Sequence, residues 1–146
     1  MPQFSRTATT DWKGTLMEGT GQTKAGTGAF SVSVTFPRRI GDPEGVTSPE
    51  ELLAAAHAAC YAMALNGHVG RKGGAIGRTH ITCTVTSDKG EAGIKVMRSH
   101  VKVEAHHLTG IAPGDFQAVA EEANQKCPIS NAIKGSLTIE IETHVK

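Results

Sequence analysis

Ser48-Pro49-Glu50-Glu51-Leu52-Leu53-Ala54-Ala55-Ala56-His57-Ala58-Ala59-Cys60-Tyr61-Ala62-Met63-Ala64-Leu65 is the stretch that decides how this chain is read. Ser48 can cap the free backbone N–H groups of a helix start, and Glu51 three residues later completes a capping box. Pro49 suits the first helical position, where a missing N–H leaves nothing unsatisfied. Leu52, Ala56, Cys60 and Met63 recur at intervals of four, four and three, which puts Cys60 on an apolar stripe. The alanines around it carry so little bulk that another backbone can approach closely. The pattern predicts a helix at the centre of a domain or of a two-fold interface, with a thiol on its buried side and an end near Asn66-Gly67.

Upstream, Phe4 to Phe36 reads as β structure broken by glycine. Trp12, Leu16 and the alternating Phe30-Ser31-Val32-Ser33-Val34-Thr35-Phe36 predict short antiparallel strands with one buried face. The glycines at 19, 21, 26 and 28 are expected between those strands. Gly19-Thr20-Gly21 and Gly26-Thr27-Gly28 read as turns rather than phosphate cradles, because a strand and not a helix follows them. Pro37 to Thr47 reads as a loop that delivers Arg38 and Arg39 just before the helix.

Downstream, Gly70-Arg71-Lys72-Gly73-Gly74 reads as a solvated basic loop. Alternation in Ile76 to Thr86 and again in Ile94 to Ala105 predicts two long strands, joined in a hairpin by a turn over Asp88-Lys89-Gly90-Glu91-Ala92-Gly93. Pro113 opens a second amphipathic helix with Phe116, Val119, Ala120 and Ala123 on one face. Cys127-Pro128 starts a third, short helix through Ile133, stopped by Gly135. Ser136 to Val145 closes the chain as a strand with Leu137, Ile139 and Ile141 on one side. No repeat, low-complexity tract or linker intervenes, so residues 1–146 are expected to form one α+β domain.

The totals narrow the function classes. With 146 residues the chain is long enough to bury a core, and 15 Lys+Arg against 14 Asp+Glu argue against nucleic acid or an anionic membrane as the main partner. The amino end lacks the apolar block of a signal peptide, and no apolar run is long enough to span a bilayer. A cytoplasmic location is therefore expected, where structural disulfides are rare. The three cysteines then mean a reactive thiol, a transient catalytic disulfide or plain burial.

Local physics speaks most plainly at Cys127, at the N-terminus of the third helix, where the helix dipole favours a thiolate. The alternative is an ordinary cap or a small hydrophobe. Cys60, mid-helix on an apolar stripe, reads by itself as a buried and inert thiol unless a cation is brought to it. Arg38 and Arg39 are the obvious supply. Glu50 lies ten residues from Cys60, roughly 15 Å along a helix axis, so it acts on this thiol only through an arginine or from a second subunit. Otherwise Glu50 and Glu51 simply complement the helix dipole. Cys83, in phase with Ile81 and Val85, reads as a core strand residue. Seven histidines invite a metal reading, but there is no Cys-x-x-Cys or His-x-x-x-His pair, and no metal site is expected. His57 either orients Cys60 across one helical turn or is a satisfied core or interface histidine.

Pro49-Glu50-Glu51-Leu52-Leu53-Ala54-Ala55-Ala56-His57-Ala58-Ala59-Cys60, followed at a distance by Lys126-Cys127-Pro128-Ile129-Ser130, strongly resembles the OsmC/Ohr family of bacterial thiol-dependent peroxidases. The His57-containing helix and the long strands after it resemble the OsmC branch more than the Ohr branch. The resemblance implies an organic hydroperoxide reductase with an OsmC-like fold, antiparallel sheets around a central Cys-bearing helix, in an intertwined homodimer with sites at the interface. It makes Cys60 the peroxidatic cysteine, Cys127 the resolving one, Glu50 the family's glutamate and Arg39 its partner arginine, with Arg38 as the neighbouring alternative. It also implies a Cys60–Cys127 disulfide reduced by an external dithiol of dihydrolipoyl type, no bound cofactor and no metal. Phe36, Ile40 and Met63 would form an apolar mouth favouring alkyl hydroperoxides. Two other readings use the same fold: a non-enzymatic thiol redox sensor, and a small-ligand-binding dimer with inert cysteines.

Overall fold

A computed structural model describes residues 2–146 of the chain. Contacts divide it after Pro49 into a first unit, Met1–Pro49, and a second, Glu50–Lys146.

The first unit is built on a sheet of β1 (Ala8–Lys13), β2 (Thr20–Ala25) and β3 (Ser31–Val34), joined in that order. Both pairings are antiparallel, as the alternation predicts. The expected buried face is present only in part: in β3 Val32 and Val34 are half-buried between exposed serines, whereas β1 is exposed throughout and Gly21 is the one buried position of β2. Nor does Gly21 lie between strands. It sits inside β2 opposite Trp12 and Val34. A Cβ at Gly21 would stand 2.7 Å from the Trp12 ring and 2.9 Å from the Val34 side chain, so only glycine lets the indole lie across the sheet. Arg38 and Arg39 are not on an open loop but on a short helix, α1 (Phe36–Ile40). The Thr35 hydroxyl caps it by accepting the Arg38 N–H at 3.3 Å, and Pro37 occupies the first turn, where its missing donor is harmless.

The second unit is organised on α2 (Pro49–Arg71), which begins at the predicted proline. It does not stop at Asn66-Gly67. Leu65 and Val69 both remain buried, and that continuing apolar stripe carries the helix past Gly67. The end comes at Gly73, whose φ of 82° is the left-handed conformation of a helix stop. The Gly74 N–H reaches the Val69 carbonyl and the Gly73 N–H the Gly70 carbonyl, both at 3.0 Å, closing a Schellman motif. The buried stripe is His57, Tyr61, Leu65 and Val69, one position round from the predicted one. Cys60 lies half-buried at its edge, and Met63 is 76% exposed.

After α2 come β4 (Ala75–Gly90) and β5 (Gly93–Thr109), a long antiparallel hairpin. Its strands run further than predicted, pairing Gly90 with Gly93, so the turn shrinks to Glu91-Ala92. The last strand, β6 (Thr138–Val145), joins β5 on its other edge, and it is parallel. The expectation of purely antiparallel sheets is corrected here. A parallel neighbour requires a crossover. Residues 110–137 supply it, through a single 3₁₀ turn (Pro113–Asp115), α3 (Phe116–Asn124) and α4 (Pro128–Ile133). Phe116, Val119, Ala120 and Ala123 are all buried, as the sequence predicts. They share one core with Tyr61, Leu65 and Val69 of α2 and with Val101, Val103 and Ala105 of β5. Full burial of a ring such as Phe116 contributes about 1.5–3 kcal/mol. The crossover also fixes the place of Cys127, which the core encloses completely. Among the described residues, no helix is long and apolar enough to cross a membrane.

Candidate active site

Two cysteines remote in sequence meet where α4 starts against the flank of α2. Cys127 is the N-cap of α4, with extended backbone (φ −83°, ψ 114°), which turns its side chain back over the first turn. Its sulfur accepts the Ser130 N–H at 3.4 Å. The Cys60 sulfur stands 3.4 Å from it. Cys60 also accepts the backbone N–H of Ile129. Successive amides of one helical turn thus serve the two sulfurs, satisfying orphan donors that a helix start always leaves.

Burial pushes the Cys60 thiol above its ordinary value; the Ile129 N–H pulls it down, and the Cys127 sulfur adds to the rise. This matches what position alone predicts for Cys60: an apolar flank disfavours the thiolate. All three cysteines are free thiols here.

His57, one helical turn before Cys60, is fully buried and bonded at both nitrogens. Nδ1 lies 2.7 Å from the Ser99 hydroxyl on β5, and Nε2 lies 2.7 Å from the Ser130 hydroxyl on α4. Burial lowers the imidazole's affinity for a proton, which keeps the ring neutral with one donor and one acceptor nitrogen. Of the two readings of His57, the geometry supports the satisfied core residue. Cys83 is half-buried against the core as expected, but it is not merely packed. Its sulfur lies 3.1 Å from the Ser99 hydroxyl and 3.7 Å from His57 Nδ1.

Sequence reasoning missed Ser99 and Ser130. The signal for Ser99 was available: it occupies an inward position of β5, in phase with Val101, Val103 and Ala105, and a polar group there needs a partner. Ser130 lies three residues after Cys127, on the helical turn that the cysteine caps.

The remaining predicted residues are placed as follows. Arg38, on α1, forms an ion pair with Glu44 at 2.7 Å and donates to the Asp42 carbonyl at 3.2 Å. Arg39 follows it on the same helix, in the first unit. Glu50 is in the first turn of α2, about 15 Å along the axis from Cys60. Ile40 is 44% exposed and Phe36 half-buried. Among the described residues no group of three His, Cys, Asp or Glu side chains is arranged to hold a metal ion.

A family model described as OsmC-like protein matches residues 41–142. The chain belongs to the OsmC-like family. Peroxiredoxin OsmC of Escherichia coli (strain K12) is 31% identical over 132 residues, spanning 90% of this chain and 91% of that protein. Organic hydroperoxide resistance protein-like 2 of Staphylococcus saprophyticus is 31% identical over 121 residues, covering 80% and 81% of the two chains. The crystal structure of an organic hydroperoxide resistance protein OsmC from Legionella pneumophila superposes with a TM-score of 0.74 at 26% identity, over 98% of each chain. The α+β fold is therefore that of the OsmC and Ohr proteins, and both cysteine motifs fall inside the matched region.

Proposed function

We propose that this OsmC-like chain is a thiol-dependent peroxidase that reduces organic hydroperoxides to alcohols, with Cys60 as the peroxidatic and Cys127 as the resolving cysteine. The observation that carries the reading is the 3.4 Å separation of two thiol sulfurs on elements remote in sequence. The names of the relatives, peroxiredoxin and organic hydroperoxide resistance protein, support it. The Cys60 thiolate attacks the distal peroxide oxygen, the O–O bond breaks, and the alkoxide takes up a proton to leave as alcohol. Cys60 is left as a sulfenic acid. The Cys127 sulfur attacks the Cys60 sulfur, hydroxide departs as water, and a disulfide forms. An external dithiol, of dihydrolipoyl type by family resemblance, reduces it by exchange.

The raised affinity of Cys60 for its proton calls for a nearby cation in this mechanism. Arg39 takes that role and Glu50 orients its guanidinium, following the family pattern. The working molecule in this reading is a homodimer. Ala55, Ala56, Ala59 and Met63 on α2, and the uncovered β1, leave exposed surface of the kind a second copy would cover.

A steady-state assay of cumene hydroperoxide loss with a dithiol tests the proposal. The protein is expected to turn over repeatedly, Cys60→Ser to consume no peroxide, and Cys127→Ser to complete one turnover and then over-oxidise at Cys60. A redox sensor of the same fold would stop after one equivalent. Cys60→Ser consuming peroxide at the parent rate would refute the assignment.

A further inference from the structure

We propose that His57 is a positioning residue that latches α4 to α2 and thereby sets how readily Cys127 closes onto Cys60. The role deepens the peroxidase reading and rests on it for its biological use. Three contacts and one turn of α2 make a closed circuit. His57 and Cys60 share one face of α2 a turn apart. His57 Nε2 meets the Ser130 hydroxyl at 2.7 Å, the Ser130 N–H meets the Cys127 sulfur at 3.4 Å, and that sulfur meets Cys60 at 3.4 Å. The opposite nitrogen is tied to Ser99 of β5 at 2.7 Å, so the ring cannot swing away from α4.

The circuit matters because α4 is short. Six residues have no helical stability of their own, so tertiary anchors fix their position. Ser130 is the one fully buried residue of α4, and the His57 bond is its side chain's tether. Packing alone would be served as well by an apolar side chain of the same volume, which leaves no polar group to satisfy. A neutral imidazole bonded at both nitrogens adds direction to that packing. Closure then asks for a small, guided movement, since the sulfurs must come from 3.4 Å to about 2.05 Å.

The test uses diamide and no peroxide. Diamide accepts two electrons and both thiol protons to become its hydrazide while the Cys60–Cys127 bond forms, and the rate is read as loss of two thiols. Gln at position 57 can put a polar atom where Nε2 stands, whereas Asn reaches only the Nδ1 position. His57→Asn and Ser130→Ala are expected to slow closure by about tenfold or more, as ångström-scale misplacement does, while His57→Gln stays within about threefold of wild type. Tyr61→Phe is the stability control. It removes a buried 2.7 Å bond from the residue beside Cys60 to the Ala120 carbonyl of α3 while leaving the His57–Ser130 bond in place, and it should lower the melting temperature without slowing closure. The latch is overturned if Ser130→Ala closes at the wild-type rate, if Asn and Gln at position 57 behave alike, or if Tyr61→Phe slows closure as much. A wild type that closes with diamide but consumes no hydroperoxide would refute the peroxidase reading and leave the latch standing.

Discussion

Oxidation should stabilise this protein, by an amount that follows from where its sulfurs lie. Cys60 and Cys127 are 67 positions apart, so a bond between them removes the closure entropy of a loop of that size from the unfolded chain. The chain-entropy relation gives about 4.4 kcal/mol for such a loop, and measured disulfides typically deliver about 2–4 kcal/mol. For a domain of this size each kcal/mol moves the melting temperature by roughly 3 °C, so oxidation should raise it by about 10 °C. Circular dichroism melts of protein held in dithiothreitol, and of protein oxidised by one equivalent of diamide, read this directly. Cys127→Ser should show no such difference. An oxidised wild type that melts no higher than the reduced form would refute the reasoning, because the bond would then distort the fold it is supposed to fit. So would an equal rise in Cys127→Ser, because the stabilising bond would then lie elsewhere.

Three further outcomes are expected. Arg39→Met should slow peroxide consumption at pH 7 by about 10²-fold, the usual cost of one lost donor at a reacting centre, and move the pH dependence of Cys60 alkylation upward. An unchanged alkylation profile would remove Arg39 from the site. Burial holds the His57 imidazole below its ordinary value of 6.5. The unfolded chain therefore takes up that proton first, and the stability it represents is present above about pH 6.5 and lost as pH falls through the folded value. Wild type should lose melting temperature more steeply than His57→Gln below about pH 6.5, and parallel curves would contradict this. Tyr61→Phe should cost about 1 kcal/mol in urea unfolding, the net worth of a typical hydrogen bond, and a neutral result would mean that the Ala120 contact carries no weight.

What the sequence made legible follows the strength of its local signals. Pro49 with the Ser48 and Glu51 pattern marks the start of α2 and Cys127-Pro128 that of α4, while Pro113 opens the 3₁₀ turn and α3 itself starts three residues later at Phe116; prolines and caps act within one turn. The buried face of α2 lies one position round from the one its sequence predicts. With alanine on nearly every side of the helix, small residues give the periodicity no direction, and Tyr61 and Leu65 decided the matter in the fold. Asn66-Gly67 carries the local signal of a stop, but burial of Val69 outweighs the roughly 1 kcal/mol that a mid-helix glycine costs. The parallel pairing of β6 was illegible because alternation looks the same in either direction. Strands β1 to β3 are legible as strands, but the buried face their alternation predicts is realised only as the half-buried valines of β3, with β1 left exposed. No local rule joined Cys60 to Cys127. That juxtaposition came from the family resemblance, and the crossover between β5 and β6 accounts for it physically.

The most direct measurement is peptide mapping, under non-reducing conditions, of protein treated with one equivalent of cumene hydroperoxide. A single linked peptide pair joining Cys60 to Cys127, with Cys83 recovered as free thiol and one equivalent of alcohol released, is the predicted result. Peroxide left unconsumed, or a linkage that runs through Cys83, would contradict the account.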